Sequence, residues 1–328
     1  MKNGQVAYIG VDVSKGSLSV DAGECYVGKV ANAAADIRRL IRELKRKIGR
    51  DKIPHVCFES TGPYGELLFT ELCAAGVAAS VLNPAKVRHY AKAMSESAKT
   101  DPIDARIIRL FAEDKKPAPT RVPGGAERAL RQLILVRDSL TKSAVQLSGV
   151  KDSVSDAFAA RALQKAIDGL KDRIKKVDGR IAKTLEGDKR LAGLVSELSL
   201  ISGIGGLTAT KMVALVPELG TLGRRASASL AGLAPFARDS GKLKGKAFVC
   251  GGRASVRRAL FMPAAVAIRH NPVLKSAYEN LRKKGKPYKV ALTAVMRKLF
   301  FYMDRVAAKW YEAQGGGNGV TAPQNGLA

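Results

Sequence analysis

The sequence predicts an α/β domain followed by mainly helical regions, a fold class that we write as α/β plus α. Residues 5–31 read as strands, because short apolar runs alternate there with glycine. Helical and strand-like patterns then alternate up to residue 113, and strands followed by alternating elements indicate a mixed sheet. Beyond a Pro/Gly-rich segment at 115–125, the apolar spacing is mostly helical.

Each element of the α/β domain has its own local signal. The apolar run VAYIGVDV opens the sheet and contains Asp12, and HVCFES is a short strand that ends at Glu59. The clearest helical pattern covers 33–48, with one apolar face at Ile37, Leu40, Ile41, Leu44 and Ile48. The remaining predicted elements are helices at 64–75, 85–94 and 102–113 and a strand at 77–82.

A heptad seam predicts a long helical arm after this domain. Its apolar positions alternate at spacings of four and three, at Leu163, Ile167, Leu170, Ile174, Val177 and Ile181. Residues 126–150 are helical too, so two helices joined near 151–160 form an antiparallel arm or a dimerising coiled coil. A helical pair that packs only on its own domain is the alternative, since the seam covers only about three heptads.

The third region begins near residue 193 and contains a Gly-Ile-Gly turn between two apolar helices, in LISGIGGLTATKMVALVPELG. This resembles a helix-hairpin-helix element, whose turn offers backbone N–H groups to a phosphate. A plain corner between two helices is the alternative. The final residues, 315–328, lack core-forming side chains, and we expect them to be disordered.

The charge of the chain points to a polyanionic partner. Of its 328 residues, 56 are Lys or Arg and 29 are Asp or Glu, which gives a formal net charge of +27. Nucleic acid is the common partner of so basic a protein. An anionic membrane surface is the rival, but the sequence has no lipidation motif, no apolar run of about 18 residues and no signal-peptide core at its start. We therefore expect a cytoplasmic protein without a membrane partner.

Few residues are available for disulfides or soft metal sites. The four cysteines form no C-x-x-C pair, and they are Cys25, Cys57, Cys73 and Cys250. We expect reduced, buried thiols there and no zinc site. Because the chain has only three histidines, any bound metal should be a hard ion held by carboxylate oxygens.

Four acids occur where strands end and a helix begins. Asp12 lies in the first strand, Glu59 closes a later one, and Asp101 and Asp104 open a helix in KTDPIDARI. If those strands are neighbours, the carboxylates converge at one edge and need a counter-charge. A pair of Mg²⁺ ions about 3.5–4 Å apart would supply it and clamp the oxygens of a phosphodiester. The alternative is structural: Asp101, Pro102 and Asp104 suit an ordinary helix start, and the other two acids suit a strand end and a turn.

The last part of the chain is dense in cations. Residues 240–310 contain 17 Lys and Arg against two acids, and such clusters contact the phosphate backbone more than the bases. The candidate nucleic-acid contacts are Lys242, Lys244, Lys246, Arg253, Arg257, Arg258, Lys283, Lys284, Lys286, Arg297 and Lys298. Few aromatic residues are interleaved with them, so little base stacking is expected.

Ser240, in RDSGK, is the candidate nucleophile of this cationic region. A Ser between Asp and Gly is common in turns, and this is the structural alternative. No His or Cys lies near it in sequence to suggest a protease-like triad. A hydroxyl among cations, in a chain that also holds metal, suits attack on a phosphate.

Several motifs resemble one family of proteins. YIGVDVSKGSLSV, FESTGPYG, VLNPAKVRHYAKA and KTDPIDARIIRLFA resemble the RuvC-like N-terminal domain of the insertion-sequence one-ten transposases, the Piv-type DEDD family. LISGIGGLTA, LAGLAPFARDSGKLKG, GGRASVRRALFMPA and VALTAVMRKL resemble the C-terminal transposase domain of that family. The motifs occur in the family's order, and the resemblance covers most of residues 5–312.

The resemblance implies a domain plan and a set of site residues. The plan is a RuvC/RNase H-like domain at 1–125, coiled-coil or dimerisation helices at 126–192, a C-terminal transposase domain at 193–312 and a disordered tail at 313–328. The family's acidic tetrad, which binds Mg²⁺ or Mn²⁺, falls on Asp12, Glu59, Asp101 and Asp104. Its serine falls on Ser240, and no nucleotide cofactor is implied.

As a function, the resemblance implies a DNA transposase or recombinase of an insertion sequence, near the nucleoid of a prokaryotic cytoplasm. The serine would become covalently joined to a DNA end while the metal-bound domain assists. Such a split site would be completed across subunits of a homo-oligomer, a dimer or a dimer of dimers. A structured bridge RNA that pairs with donor and target DNA would supply the sequence specificity.

Three other functions are compatible with the residues. A RuvC-like nuclease that only hydrolyses DNA would not need Ser240. An actin-like ATPase has a similar first phosphate loop to GVDVSKGSLSV, although the second loop is missing and the positive charge argues against it. A non-enzymatic nucleic-acid chaperone would need none of the four carboxylates.

Overall fold

A computed structural model describes residues 5–49, 51–59, 64–94, 101–236, 239–240, 243–244 and 248–315. Only the backbone is described for Asp101, Pro102, Asp239, Ser240, Leu243 and Lys244. The chain divides into two compact units, which we call unit 1 (1–122) and unit 2 (123–328). The tail expected to be disordered lies outside the described residues from residue 316 onward.

Unit 1 contains a five-stranded sheet with helices on both faces. Its strands are β1 (Gln5–Val13), β2 (Ser17–Asp21), β3 (Val27–Ala31), β4 (Lys52–Glu59) and β5 (Ala78–Leu82). Its helices are α1 (Ala34–Ile48), α2 (Gly65–Ala74), α3 (Pro84–Ala93) and α4 (Asp101–Lys115). The strand order is β3-β2-β1-β4-β5, with β1 antiparallel to β2 and parallel to β4. The predicted mixed sheet is confirmed, and it is consistent with a RuvC-like domain.

The alternation of side chains along β1 gives each face of the sheet its own helices. Ile9, Val11 and Val13 are buried in a cluster with α1 and α2, whereas Tyr8 packs in a second cluster with α3 and α4. The predicted apolar face of α1 is confirmed by the burial of Ile37, Leu40, Ile41, Leu44 and Ile48. Burying one such side chain contributes about 1.5–3 kcal/mol, so this stripe anchors the helix to the sheet.

The chain that leaves α4 runs along the edge strand β5. Thr120 donates its N–H to Ala79 O at 2.7 Å, and its Oγ1 accepts the N–H of Val81 at 2.9 Å. Ser80 Oγ donates to Ala118 O at 2.7 Å. Backbone groups at the outer edge of β5 therefore have partners within the chain.

Unit 2 is mainly helical. Its helices are α5 (Gly125–Lys151), α6 (Ala157–Glu186), α7 (Lys189–Ser199), α8 (Gly206–Leu215), α9 (Arg224–Leu230), α10 (Ala254–His270), α11 (Pro272–Lys283) and α12 (Tyr288–Ala313). The described residues between α9 and α10 include four two-residue strands: β6 (Pro235–Phe236), β7 (Asp239–Ser240), β8 (Leu243–Lys244) and β9 (Phe248–Val249). One apolar cluster joins α7, α8, α10 and α12 to the base of α5 and α6. No helix in the described parts of the chain is long and apolar enough to cross a membrane.

Helices α5 and α6 pack side by side as an antiparallel pair. Arg137 Nε donates to Asp178 Oδ1 at 2.6 Å, and Lys151 Nζ donates to Gln164 Oε1 at 2.7 Å. Two residues of the predicted seam are buried, Ile167 and Ile181. The other four are half-buried: Leu163, Leu170, Ile174 and Val177. The two long helices are confirmed, and their association with a second copy stays a prediction.

The Gly-Ile-Gly turn joins α7 to α8 as predicted. Gly203 has a φ of +98°, and a Cβ at this position would lie 2.8 Å from the Cβ of Ala267 on α10. Glycine is therefore required both by its left-handed backbone and by the close approach of α10. The glycine turn between two helices is confirmed. Its likeness to a helix-hairpin-helix element and its binding of phosphate stay predictions.

The expectation of buried thiols holds for one of the four cysteines. Cys57 is buried between β-strand neighbours, and burial raises the pKa of its thiol to about 12 although a hydrogen bond with Ser80 lowers it. Cys25 and Cys73 are half-buried, and the expectation is wrong for Cys250, which is exposed. The spacing of the cysteines carried no information on this exposure, and the preceding Val249 is itself 43% exposed.

Candidate active site

Two of the predicted carboxylates lie side by side where two parallel strands end. Strands β1 and β4 pair in parallel as far as Val11 and Phe58. The next residues on the two strands are Asp12 and Glu59, and both are half-buried. Neighbouring residues of paired strands share a face of the sheet, so these two carboxylates lie on the same face.

Helix α4 lies directly on that face because Gly10 has no side chain. A Cβ at Gly10 would lie 2.0 Å from Ala105 O and 2.6 Å from Arg109 N. Asp12 is two residues further along β1 and therefore on the same face as Gly10. Asp101 precedes Ala105 by four residues, about 6 Å along the helix axis.

Arg109 ties α4 to the sheet at this crossing. Its Nε donates to Asp21 Oδ1 at 2.5 Å and its Nη1 to Glu113 Oε1 at 2.6 Å. Burial disfavours the charged guanidinium, but these hydrogen bonds outweigh that effect and raise the pKa of Arg109. Asp21 is the sheet partner of Gly10, so the ion pair lies at the level where helix and strand cross.

The other half of α4 shows which way the helix runs across the sheet. Glu113 lines a cavity of about 750 Å³ together with Gln5 at the start of β1. The first turn of α4, with Asp101 and Asp104, therefore points toward the opposite end of β1. That is the end at which Asp12 and Glu59 lie, so this cavity is distant from the candidate acids.

The fold thus places Asp12 and Glu59 on neighbouring strands, and the first turn of α4 runs toward the same end of the sheet. Asp104 is half-buried, and only the backbone of Asp101 is described. Among the side chains that the structure describes, no group of three His, Cys, Asp or Glu residues is placed to hold a metal ion. Carboxylate oxygens are nevertheless the ligands that Mg²⁺ prefers, so the donor chemistry of this edge fits a hard divalent cation.

Asn32 braces the loops at the same edge. Its Nδ2 donates to Ser14 O and to Tyr64 O, each at 3.0 Å. Ser14 follows β1 and Tyr64 precedes α2, so one amide joins the segments that follow Asp12 and Glu59. Asn32 could not be predicted from the sequence, because an isolated Asn carries no signal and its partner Tyr64 is 32 positions away.

Ser240 belongs to unit 2 and lies on a short β-ribbon. Strand β7 pairs with β8, with Ser240 opposite Leu243, and β6 pairs with β9, with Phe236 opposite Phe248. We call residues 233–250 the Ser240 segment. Ser240 lies in the β7–β8 pair, which in sequence falls between β6 and β9. The position of its hydroxyl falls outside the described atoms.

The two ends of the Ser240 segment meet at a contact between glycines. A Cβ at Gly232 would lie 2.0 Å from Gly251 O, and a Cβ at Gly252 would lie 2.1 Å from Gly232 N. Gly232 and Gly252 each have a φ of +63°, a conformation that side chains disfavour. We call this contact the glycine crossing, and it fixes where the Ser240 segment leaves the helical core.

Two predicted nucleic-acid contacts lie near the glycine crossing, and one of them, Arg257 on α10, bonds to it directly. Arg257 Nη1 donates to Gly251 O at 2.9 Å and to Ala231 O at 3.3 Å. Arg253 donates from two guanidinium nitrogens to the carboxylate of Glu218, at 2.6 and 2.8 Å. Both were predicted as nucleic-acid contacts, and the structure gives them bonds within the protein as well.

The other predicted contacts differ in how far the structure describes them. Exposed side chains are found at Arg258, Lys283, Lys284, Lys286 and Lys298, and Arg297 is half-buried. Lys242 and Lys246 lie outside the described residues, and only the backbone of Lys244 is described.

Two family models match this chain. Residues 9–150 match a model for the DEDD transposase domain of IS110, described as "Transposase". Residues 195–279 match a model described as "Transposase IS116/IS110/IS902 family". The first match contains β1 from residue 9 onward, β4 and α4, and the second contains the Ser240 segment and the glycine crossing.

Two curated proteins are similar over most of their length. The pilin gene-inverting protein of Moraxella bovis is 25% identical over 303 residues, which cover 89% of this chain and 92% of that protein. The pilin gene-inverting protein of Moraxella lacunata is 27% identical over 249 residues, which cover 75% and 77%. The similarity therefore extends across both units.

Proposed function

Because the chain belongs to the IS110 family of transposases, we propose that it cuts and rejoins DNA through a covalent intermediate on Ser240. The observation that carries this proposal is the meeting of β1, β4 and the first turn of α4 at one edge of the sheet. Asp12 and Glu59 are neighbours there, on the face that α4 covers. This edge offers a place for the divalent cation that phosphodiester chemistry commonly uses.

We propose that Asp12, Glu59, Asp101 and Asp104 hold Mg²⁺, or Mn²⁺ in its place. When bound, the ion would neutralise charge on the phosphate and stabilise the leaving oxygen. The first turn of α4 also carries the positive end of the helix dipole, which favours the ionised form of nearby carboxylates. Neither zinc nor a nucleotide is required.

Ser240 supplies the nucleophile in this proposal. Its Oγ loses its proton and attacks the phosphorus of a DNA phosphodiester. The Oγ–P bond forms, the bond to the leaving deoxyribose oxygen breaks, and that oxygen takes up a proton to become a free hydroxyl. A hydroxyl at another DNA end then attacks the same phosphorus and releases the serine. One phosphoester bond replaces another at each step, so the strands are rejoined without ATP.

The names of the relatives favour rejoining over simple hydrolysis. Both curated relatives are named as proteins that invert a pilin gene. Inversion of a DNA segment requires that each cut end be joined to a new neighbour. A nuclease that only hydrolyses DNA would leave free ends, and we therefore place it second.

The DNA partner and the oligomer in this proposal follow from charge and from the helical arm, and the RNA partner is what the resemblance to the family implies. The cations of unit 2 would hold donor and target DNA, and a structured bridge RNA that pairs with both would select the sequence. A homo-oligomer, a dimer or a dimer of dimers, would associate through α5 and α6. Val145 and Phe158, which are 66% and 74% exposed near the tip of this arm, support such an association.

The experiment that tests the proposal combines protein, RNA from the DNA that flanks the gene, donor duplex and target duplex with Mg²⁺. We expect joined products and a protein–DNA adduct that survives denaturation. Ser240→Ala should keep DNA binding and lose the adduct. Asp12→Asn and Asp101→Asn should keep binding and lose turnover.

Matched variants separate these roles from general damage. Ser229→Ala changes another serine of unit 2, exposed on α9, and Asp51→Asn changes an exposed acid of unit 1; both should stay active. Joined products from Ser240→Ala would refute the nucleophile. Products with free ends only would assign the chain to the nuclease alternative.

A further inference from the structure

Unit 2 contains an apolar cleft beside the glycine crossing. It has a volume of about 380 Å³ and is lined by Leu233, Val249, Arg257, Arg258, Phe261, Thr293 and Met296. This volume lies near the lower end of the ~300–1,000 Å³ that is typical of ligand sites. Leu233 and Met296 are 1% and 3% exposed and form its floor, whereas Val249 and Phe261 are 43% and 44% exposed. The cleft therefore presents a partly open aromatic ring above a closed apolar base.

Two arginines, Arg257 and Arg258, line the cleft together with Phe261. Arg258 is exposed, and it makes no hydrogen bond or ion pair with the residues that the structure describes. It precedes Phe261 by three positions on α10, a spacing that puts both side chains on one helix face. The three hydrogen bonds of Arg257 to the glycine crossing all use Nη1. An aromatic surface next to a cation is the arrangement that holds a nucleobase and its phosphate.

We propose that this cleft binds one unpaired nucleotide, with its base stacked on Phe261 and its phosphate at Arg258. The placement of this nucleotide near the reacting strand rests on the proposed function of Ser240. The cleft residue Val249 pairs with Pro235, and Ser240 follows Pro235 by five residues, at most about 18 Å along an extended chain. A paired base could not enter the cleft, so the nucleotide must come from a strand that has separated from its partner.

Electrostatics disfavour a second copy of the chain as the occupant. The cleft carries two guanidinium groups, and the chain has a net charge of +27. A symmetric contact would bring this cationic patch against its own copy, which like-charge repulsion opposes. A polyanion with an apolar face satisfies both the charge and the ring.

The test measures binding without chemistry. Full-length protein with Ser240→Ala, in buffer without divalent cations, is titrated into a labelled DNA duplex that contains a short single-stranded gap. Adding Phe261→Ala should weaken binding by about 5- to 150-fold, the range for loss of one stacked base. Phe261→Trp should bind like the parent. Arg258→Ala should weaken binding and reduce the salt dependence by about one phosphate contact.

Three controls make this result specific. Met262→Ala changes the neighbouring exposed residue, which does not line the cleft, and should have no effect. A fully paired duplex, and a gap whose nucleotides lack bases, should bind the parent and Phe261→Ala equally. The same titration with RNA nucleotides in the gap tells which nucleic acid supplies the nucleotide. The nucleic acid for which Phe261→Ala causes the larger loss of affinity is the source.

Two outcomes would overturn the proposal. Equal affinity of the parent and Phe261→Ala for the gapped duplex, with unchanged thermal unfolding, would show that no base stacks on Phe261. A change in sedimentation caused by Phe261→Ala would instead assign the cleft to a contact between copies. The role of Ser240 is measured separately by the adduct, so failure of one proposal leaves the other intact.

Discussion

Unit 1 and unit 2 hold their candidate reactive residues by different means. In unit 1, Asp12 and Glu59 lie on adjacent strands of a sheet, and α4 is pressed against that sheet at Gly10. In unit 2, Ser240 lies on a ribbon of two-residue strands that leaves the core at the glycine crossing. The acids are held in place by the packing of α4 on the whole sheet, whereas the position of the serine depends on a few backbone contacts. Substitutions near the acids should therefore lower the free energy of unfolding. Substitutions near the serine should first reduce formation of the protein–DNA adduct.

The largest effect is expected from Gly10→Val. The new side chain would begin 2.0 Å from Ala105 O, and α4 would have to move away from β1. We expect a loss of about 4 kcal/mol or more in the free energy of unfolding, because backbone cannot yield as a flexible side chain can. Urea denaturation measures it. Gly16→Ala, where no atom lies within 4 Å of the new Cβ, should change stability little.

Gly232→Ala tests the other half of the comparison. Its Cβ would lie 2.0 Å from Gly251 O at a φ of +63°, so we expect about 3 kcal/mol of local strain and loss of the protein–DNA adduct with DNA binding retained. Gly251→Ala is the matched control, because its φ is +67° and nothing lies within 4 Å. It should cost only about 1–2 kcal/mol and keep the adduct. Equal loss of the adduct in both variants would contradict a role for the close approach.

Asp304 gives a smaller effect in the core of unit 2. It is 1% exposed and accepts the N–H groups of Gly220 at 2.7 Å and Leu222 at 3.1 Å. Asp304→Ala leaves both donors without their acceptor and should cost about 2 kcal/mol in urea denaturation. Asp304→Asn keeps an acceptor and should cost less.

The pH dependence of Asp304 has a definite sign. Burial raises its pKa, and the two backbone hydrogen bonds only partly offset this. Folding therefore favours the protonated form, so the stability that it contributes is present below the unfolded pKa and is lost as the pH rises through the folded one. Melting temperatures measured upward from about pH 4 should fall less for Asp304→Asn than for the parent. The same slope in both proteins would contradict the assignment.

His55 should give the smallest effect, in the sheet of unit 1. Its Nε2 lies 2.8 Å from Ser80 Oγ, and burial lowers its pKa. The neutral form is favoured by folding, so its contribution is present above about pH 6.5 and is lost as the pH falls through the folded pKa. The melting temperature should decrease between pH 7 and pH 5, and His55→Gln should reduce this decrease. His89→Gln, at an exposed position, should not.

Local patterns in the sequence were sufficient to predict much of the fold. The face of α1, the strand that ends at Glu59 and the two long helices all follow from periodicity, which depends on residues close in sequence. The pairing of Asp12 with Glu59 also follows once the strands are taken as neighbours. The exposure of the thiols could not be predicted in this way, because the exposure of Cys250 depends on how a short ribbon is placed.

The contacts that position the candidate site could not be read from the sequence. Arg109 and Asp21 are 88 positions apart, and no local pattern links them. The glycine crossing joins two segments about 20 positions apart through backbone atoms, which carry no identity in a sequence. A count of cations likewise could not separate Arg253, which pairs with Glu218, from Arg258, which has no such partner among the described residues.

Residues 118–120, which run along β5, affect how the protein behaves at high concentration. Open strand edges are where sheets recruit strands from other molecules and grow into aggregates or exchange segments between copies. Thr120 and Ala118 already occupy this edge from within the chain. The outer edge of β5 is therefore not available to pair with strands of other copies, even where many copies of this basic protein are close together.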